Sequence, residues 1–299
     1  WFHKMENLVL SLRRFGGALS ESPMVVNVVG DADPDLREAM SRLGAEVRIV
    51  ETVDARRPTS NKLRMFELAD DHDFDVLVMM DCDMIVKGDF ASEVRPGRLR
   101  MLPAGRDLLD DATWRKLFRL VDAPLPRPDC VTTVTGQATY PYYNSGVLFV
   151  PREACAALHE HWARHLDWIL GPGLAQLGMD RLRKDQIPLA AALATAGLEV
   201  DPLPVNMNLS VTAARYARPY RHQWGPPFLI HYHRLIDHRG FLAGSPNARV
   251  NPHLDEFNLV RARHTGLSYS GLARVPVARR IRAQMKDRRG LQWVRSVRA

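Results

Sequence analysis

Apolar residues recur at two different periods along the first part of the chain, and these periods predict alternating helices and strands. At residues 3–15 they recur at helical spacing, and Gly16 and Gly17 end that stretch. At residues 76–80 five apolar residues follow one another, which predicts a strand buried on both faces. The predicted helices span 3–15, 33–44 and 61–69, and the predicted strands span 24–29, 46–50 and 76–80. This alternation predicts an α/β fold with a mostly parallel sheet flanked by helices.

The pattern is less regular after residue 83. Residues 122–143 contain several prolines and predict a long loop, which inside a domain is usually functional. The chain begins directly with a helix, although a strand is expected before it in such a sheet, so we expect either that this strand has been removed or that the fold begins in an unusual way. Further helices are predicted at 107–121, 152–169, 184–196, 253–264 and 276–287, and further strands at 99–102, 146–150 and 228–232. We expect an α/β domain over residues 1–250 and a basic helical extension over 251–299.

Positive charge is concentrated at the C-terminal end. The chain carries a net charge of +7, of which residues 261–299 contribute +10 and the remainder −3. Because the body of the chain is nearly neutral, the basic balance does not indicate nucleic-acid binding. The basic segment mixes arginines with apolar residues and Trp293. This mixture suits peripheral contact with an anionic membrane surface, an anionic acceptor, a solvated helix or a disordered end.

The cysteine content bears on the cellular location. The three cysteines are far apart and lack metal-ligand spacing, which favours a reduced, cytoplasmic protein. No apolar run is long enough to cross a bilayer.

Two aspartates follow the apolar run at residues 76–80. Asp81 and Asp83 stand where the strand ends, and in open α/β sheets ligands bind outside the carboxyl ends of the strands. Two such carboxylates are costly to desolvate together unless a cation neutralises them, and Mn²⁺ or Mg²⁺ suits oxygen ligands. Because Asp-x-Asp is a common tripeptide, two solvated acids in a turn are the alternative.

The residues around this pair resemble the GT-A-fold glycosyltransferases, in particular the family 8-like group of glycogenin and the lipopolysaccharide galactosyltransferases. The stretch that carries the resemblance reads FDVLVMMDCDMIVKGDF and spans 74–90. It has the family's apolar strand, Asp-x-Asp, and Gly-Asp followed by an apolar residue. The resemblance implies a Rossmann-like GT-A fold in which Asp83 binds a metal ion, while Asp81 contacts the metal or the donor ribose.

Three further stretches follow in the order that the family uses. Residues 142–149 resemble its Asn-Ser-Gly strand, whose Asn144, Ser145 and Gly146 would face the donor sugar; a bulge at a strand start is the alternative. Lys184-Asp185-Gln186 resembles its Asp-Gln pair, which implies that Asp185 binds sugar hydroxyls and Gln186 lies beneath the anomeric carbon. An ordinary acidic helix start is the other interpretation. Residues 203–208 match a family segment that follows this helix.

A late strand in the family ends in a histidine that is the third protein ligand of the metal. By position His231 takes that role here, and His233 is the rival because it alternates to the same side of the strand. A satisfied, half-buried histidine is the alternative. The family often continues with a Gly-x-x-Lys-Pro-Trp-like segment, whereas this chain has arginine and histidine at 234–240. Phosphate recognition there would fall to those side chains.

Two cations precede the metal strand. Related enzymes carry a Lys or Arg at this place that reaches the diphosphate or ribose, which makes Lys62 and Arg64 the candidates; a solvated cation is the alternative. Together these residues predict an enzyme that transfers a sugar from a nucleoside diphosphate donor, a UDP-sugar, to an acceptor that the sequence does not identify. Retention of the anomeric configuration follows from the resemblance.

Two other functions fit parts of the pattern. Asp-x-Asp after a strand also occurs in haloacid dehalogenase-like phosphatases, although we find no matching acidic pair after residue 150. A non-catalytic module that binds a nucleotide sugar would show the same binding residues. A nucleotidylyltransferase would need a glycine-rich phosphate loop after the first strand, which this chain does not show.

Overall fold

A computed structural model describes residues 1–179, 185–213, 215–223 and 225–272. Helices flank β-sheets, and the predicted α/β fold class is confirmed. In the described residues the α-helices are α1 (Phe2–Phe15), α2 (Pro34–Arg42), α3 (Leu68–Asp71), α4 (Asp111–Leu120), α5 (Arg152–Trp168), α6 (Leu174–Leu177), α7 (Gln186–Thr195) and α8 (Asn251–Thr265). The strands are β1 (Val25–Val29), β2 (Glu46–Val50), β3 (Val76–Met80), β4 (Met84–Val86), β5 (Arg100–Pro103), β6 (Cys130–Val131), β7 (Ala138–Thr139), β8 (Tyr143–Pro151), β9 (Asp201–Pro202), β10 (Leu209–Ser210) and β11 (Leu229–His231).

The sheets are mixed rather than mostly parallel, which corrects that part of the sequence prediction. The four-stranded sheet has the order β3-β8-β5-β9, and β8 runs antiparallel to both β3 and β5. The reversal follows from the connection: Tyr143 at the start of β8 lies opposite Pro103 at the end of β5, so residues 104–142 return the chain to the same end of the sheet without a right-handed crossover. A second sheet has the order β10-β11-β4, and β1 pairs in parallel with β2.

Strand β8 separates two hydrophobic cores, because its side chains alternate between the two faces of the sheet. Leu148 and Val150 pack with the core that contains α4, α5 and α7. Val147 and Phe149 pack with the core that contains α1 and α8. All four side chains are fully buried, so the continuous apolar run correctly indicates a strand covered on both sides.

Two predicted segments differ in detail from the structure. The helix predicted at 61–69 is a 3₁₀ helix over Pro58–Glu67 that continues into the short α3. Its first turn is rich in residues that favour turns over α-helix interiors. The loop predicted at 122–143 contains the short hairpin β6-β7.

The C-terminal predictions are only partly within the described residues. Helix α8 covers the helix predicted at 253–264, and it packs against α1 through the ion pair between Arg261 and Glu6. The helix predicted at 276–287 lies outside the described residues. No helix in the part of the chain that the structure describes has the length and apolar character needed to cross a membrane.

Candidate active site

Strand ends from both sheets bring the predicted site residues together. Asp81 follows β3, and its backbone N–H donates to the carbonyl of Gly146 in β8, 2.8 Å away. His231 is the last residue of β11 and pairs with Met84, directly after Asp83. The start of β8 therefore lies on one side of the Asp81–Asp83 segment, and the end of β11 lies on the other.

Asp81 belongs to a group with Lys62, Ser145 and Asp185, in which Ser145 and Asp185 are buried and the other two are half-buried. The Lys62 Nζ lies 2.8 Å from Asp81 Oδ1 and 3.4 Å from Asp185 Oδ2. It also donates to the carbonyl oxygen of Ser145 over 2.8 Å. The Ser145 hydroxyl in turn donates to Asp185 Oδ2 over 2.9 Å. One ammonium thus links the two carboxylates, and we call these four residues the lysine group.

The charges of the lysine group hold each other in the ionised state. Burial alone would lower the pKa of Lys62, but the charges of Asp81 and Asp185 outweigh it and raise the pKa above its ordinary value. For Asp185 burial acts to raise the pKa, yet the Lys62 charge and the Ser145 hydrogen bond lower it overall. Both groups are therefore charged at neutral pH.

Asp83 belongs to a different group, made with His231, His233 and Lys4. The His231 Nε2 lies 2.9 Å from Asp83 Oδ1, and the Lys4 Nζ lies 3.1 Å from Asp83 Oδ2. Lys4 also donates to the carbonyl oxygen of His233 over 2.8 Å. The two imidazole rings have centroids 3.9 Å apart. We call these four residues the histidine group.

The histidine group contains a set of atoms that can hold a metal ion. One ligand atom each from Asp83, His231 and His233 lies within 4.8 Å of the others. Burial acts to raise the pKa of Asp83, but the hydrogen bond and charge of His231 and the charge of Lys4 hold that pKa well below its usual range. A carboxylate in its ionised form is the form that binds a metal ion.

The backbone at His233 has a conformation that side chains rarely adopt. Its φ is +56°, in the left-handed region that favours glycine. A non-glycine residue there costs on the order of 1–3 kcal/mol, and such residues cluster at active sites. This backbone conformation accompanies the close approach of the His233 ring to His231.

Asn144 and Gly146 begin strand β8 beside Asp81. The Gly146 N–H donates to Asn144 Oδ1 over 2.7 Å, and Asn208 Nδ2 donates to the same oxygen over 3.0 Å. A Cβ at Gly146 would lie 2.9 Å from Asn144 Oδ1 and 3.0 Å from Asp81 Oδ2. Glycine is therefore required for the close approach of β8 to Asp81.

Gln186 and Arg64 lie in different surroundings. Gln186 is the first residue of α7, directly after Asp185, and its side chain is buried. Arg64 instead donates to the carbonyl of Glu51 and pairs with Glu67. Of the two cations predicted for the phosphates, the structure brings only Lys62 to the aspartates. Lys184 lies outside the described residues.

Two residues of the site carry no assigned role in the sequence prediction. Lys4 is in the first turn of α1, far along the chain from Asp83, and no motif singles it out. Asn208 lies in the segment 203–208, which matches the family pattern but suggests no function for this side chain. The burial of Asn208, at 4% exposure, is a signal that only the fold provides.

The chain is similar to known proteins in sequence and in fold. Residues 7–197 match the model of the Rhodobacterales glycosyltransferase domain family, which is more than half of the 299-residue chain. No curated protein matches the chain by sequence.

Among solved structures, the galactosyltransferase LgtC in complex with donor and acceptor sugar analogues matches with a TM-score of 0.52 and 14% identity, over 91% of this chain and 94% of LgtC. Glycosyltransferase GlyE of Streptococcus pneumoniae TIGR4 has a TM-score of 0.48 and 13% identity over 91% of this chain, which spans 64% of GlyE. Mouse xyloside xylosyltransferase 1 has a TM-score of 0.48 and 13% identity over 78% of this chain and 92% of its own.

The similarity to a solved structure and the match to the family model support different conclusions. The similarity to LgtC shows the fold, and the family model covers the segment with Asp81, Asp83, Asn144 and Asp185. This assignment decides against the phosphatase and the non-catalytic binding module considered above. The chain belongs to the Rhodobacterales glycosyltransferase domain family and is a glycosyltransferase of the GT-A type.

Proposed function

We propose that this glycosyltransferase takes its sugar from a nucleoside diphosphate sugar, a UDP-sugar, in a reaction that depends on Mn²⁺ and retains the anomeric configuration. The observation that carries the proposal is the histidine group next to the lysine group. Three possible metal ligands meet within 4.8 Å on one side of Cys82, and a buried ammonium joins two carboxylates on the other side. A diphosphate needs positive charge, and a sugar needs fixed hydrogen-bonding groups.

The ligand types fit a transition-metal ion. One carboxylate and two imidazole nitrogens are a donor set that Mn²⁺ accepts, whereas Mg²⁺ prefers oxygen ligands. We therefore assign the metal to Asp83, His231 and His233, with Mn²⁺ favoured over Mg²⁺. Asp81, also predicted as a ligand, has Lys62 as its nearest cation, and we propose that it contacts the ion or the donor ribose from that position.

The residues of the lysine group would bind and orient the donor. The histidine group would hold a metal ion, which would supply positive charge beside the departing diphosphate. Lys62 adds a permanent charge beside it, while Asn144 and Asp185 present polar atoms to the sugar and Gln186 lies next to them at the start of α7. Asp185 already accepts hydrogen bonds from Lys62 and Ser145 and has a lowered pKa, so it is a weak base. A weak base at this position supports retention over inversion.

The identity of the donor can be tested by thermal unfolding. UDP, GDP, ADP, CDP and TDP would each be added with Mn²⁺ and with EDTA. We expect UDP to raise the melting temperature, and only with Mn²⁺, because a ligand stabilises the folded state that binds it. An equal shift with EDTA would contradict metal dependence, and a shift with another base alone would contradict the UDP assignment. The absence of any shift would contradict the proposal as a whole.

The stereochemical part needs a separate measurement. The enzyme would be incubated with the UDP-sugar that it turns over, and the product would be followed by proton NMR from the first minutes. We expect the first product to have the anomeric configuration of the donor. An inverted first product would refute retention while leaving the donor assignment intact.

Location is proposed from the cysteines and the basic C-terminal segment. Cys82, Cys130 and Cys155 are all free thiols, as expected in the cytoplasm. The basic C-terminal segment is proposed to make peripheral contact with an anionic membrane surface. The full chain should then sediment with anionic vesicles at low salt more than a chain that ends at residue 270, and equal sedimentation would exclude this contact.

A further inference from the structure

A chain of hydrogen bonds runs from the start of β8 to the imidazole of His231. It begins with the backbone N–H of Gly146, which donates to Asn144 Oδ1 over 2.7 Å. A backbone N–H is only a donor, so the Asn144 atom that faces it is the amide oxygen. This contact fixes the orientation of the Asn144 side chain.

The orientation of Asn208 follows from that of Asn144. The Asn208 atom that lies 3.0 Å from Asn144 Oδ1 has to be a donor, and it is therefore Nδ2. The amide oxygen of Asn208 then points the other way, where it lies 3.2 Å from His231 Nδ1. An amide oxygen accepts only, so His231 Nδ1 carries the proton in this contact.

The proton on Nδ1 determines what the other ring nitrogen can do. In the neutral imidazole only one nitrogen is protonated, so Nε2 keeps its lone pair. This nitrogen lies 2.9 Å from Asp83 Oδ1. The lone pair can take either a second proton, which Nε2 then donates to Asp83, or a metal ion that Asp83 also binds, and the proton on Nδ1 is present in both cases.

We propose that Asn208 is a positioning residue, which holds His231 in the Nδ1–H tautomer and so leaves Nε2 as the metal ligand. The inference rests on the proposed metal function and adds to it a residue that touches neither metal nor substrate. A histidine ligand whose second nitrogen donates to an oxygen is fixed in ring orientation and is the more basic ligand.

The surroundings of Asn208 are built for this role. Asn208 and His231 are 4% and 7% exposed, so a broken hydrogen bond between them would leave buried polar groups unpaired. Asn208 directly precedes β10, and β10 pairs with β11 so that Ser210 lies opposite His231. The backbone pairing of β10 with β11 therefore positions Asn208 beside the imidazole ring of His231.

His233 provides an internal contrast. Its Nε2 lies 2.9 Å from the hydroxyl of Ser210. A hydroxyl can donate or accept, so Ser210 allows either tautomer of His233. Asn208 is different because its amide nitrogen only donates and its amide oxygen only accepts, and the nitrogen already donates to Asn144.

The test combines two variants with two measurements. Asn208→Leu removes both hydrogen bonds at similar volume, and Asn208→Asp keeps an acceptor for His231 Nδ1 but loses the donor to Asn144. Mn²⁺ alone is the probe, with its affinity measured by electron paramagnetic resonance. We expect Asn208→Leu to weaken Mn²⁺ binding about 10–100-fold, and Asn208→Asp to weaken it clearly less. Equal affinity in Asn208→Leu and the unmodified protein, or equal losses in both variants, would overturn the proposal.

A spectroscopic measurement tests the tautomer directly. Nitrogen-15 NMR of the metal-free protein, assigned with a His231→Gln variant, should show a proton on Nδ1 of His231, and Asn208→Leu should change that signal. An unprotonated Nδ1 in the unmodified protein would refute the inference. Asn206→Leu is the matched control, since Asn206 is in the same 3₁₀ turn and donates to Pro226 instead, and it should change neither measurement.

The two measurements also separate this inference from the proposed function. If the unmodified protein binds no Mn²⁺, the metal-dependent mechanism fails. The NMR signal of the metal-free protein then still decides whether Asn208 sets the tautomer of His231.

Discussion

Asp81 and Asp83 are two residues apart, yet their carboxylates have different partners. The carboxylate of Asp81 contacts an ammonium that is shared with Asp185, whereas that of Asp83 contacts an imidazole of a two-histidine cluster besides the ammonium of Lys4. An ammonium neutralises an acid permanently and offers no lone pair. An imidazole neutralises it only when protonated or when a metal ion lies nearby. The same tripeptide thus has one half that a lysine links to a second carboxylate and one half whose imidazole neighbours offer lone pairs to a metal ion.

This difference in partners indicates different roles for the two aspartates of the Asp-x-Asp pair. Lys62 at Asp81 supplies charge that is present before any ligand binds, and it ties Ser145 and Asp185 to the strand end. Asp83, His231 and His233 are instead the residues that we propose as metal ligands. If the division is correct, removing Asp83 should affect metal binding most, removing Lys62 should affect stability most, and removing Lys4 should have the smallest effect.

The largest expected effect is that of Asp83→Asn. This change removes the only carboxylate of the three ligand residues, so we expect Mn²⁺ affinity to fall by at least about 100-fold, which corresponds to roughly 3 kcal/mol. Metal-dependent donor turnover should be lost while the circular dichroism spectrum stays the same. Isothermal titration with Mn²⁺ measures the affinity. Asp73→Asn, an exposed aspartate before β3, is the control and should bind Mn²⁺ normally. Normal binding by Asp83→Asn would refute the metal assignment.

The second effect is that of Lys62→Met on stability. Breaking a buried ion pair leaves a charge uncompensated and costs about 3–5 kcal/mol. Here the change leaves Asp81 and Asp185 together without their cation, and urea unfolding at pH 7 should show a loss of this size. The double variant Lys62→Met/Asp185→Asn should recover part of the loss. A loss below about 1 kcal/mol would show that the lysine group is solvated like a surface pair.

The pH dependence of that loss has a definite sign. In the unmodified protein Asp185 has a lowered pKa, so its pairing stabilises the fold above the pKa of the unfolded carboxyl, about 4. The stabilisation disappears as the pH falls through the lower folded pKa. The difference in unfolding free energy between the unmodified protein and Lys62→Met should therefore be largest near neutral pH and should shrink below pH ~4. A difference that grows in acid would contradict the charge assignment.

The sequence predicts those parts of this site that lie within one continuous stretch of the chain. An apolar run that ends in Asp81 and Asp83 shows both the strand and the carboxylates, and Gly146 shows where backbone has to come close. The orientation of the strands is not encoded in this way: β8 is antiparallel because residues 104–142 bring the chain back to the end of the sheet where β5 ends, and no residue of β8 itself signals it. In the sequence pattern His233 is only an alternative to His231. Its backbone conformation, with φ of +56°, is set by the fold and is not visible in the sequence.

Pairings between distant residues could not be predicted from the sequence. Lys62 and Arg64 are equal candidates in the sequence. Only the turn geometry of the 3₁₀ helix directs Lys62 to Asp81 and Arg64 to Glu67. Asn208 is one of several buried amides, and its role depends on an oxygen and a nitrogen that face different partners. Lys4 reaches Asp83 only because α1 packs beside β4.

Lys4 provides the smallest and most discriminating prediction. Its ammonium lies 3.1 Å from Asp83 Oδ2, so it neutralises the same carboxylate that we assign to the metal. A partly exposed pair of this kind contributes up to about 1 kcal/mol, and a metal ion that needs Asp83 competes with it. Lys4→Gln should therefore tighten Mn²⁺ binding about fivefold in the titration used for Asp83→Asn. Lys116→Gln, an exposed lysine in α4, should leave the affinity unchanged. If Lys4→Gln weakens Mn²⁺ binding instead, Lys4 supports the ion by holding His233 in place, and the two halves of the tripeptide both depend on a lysine.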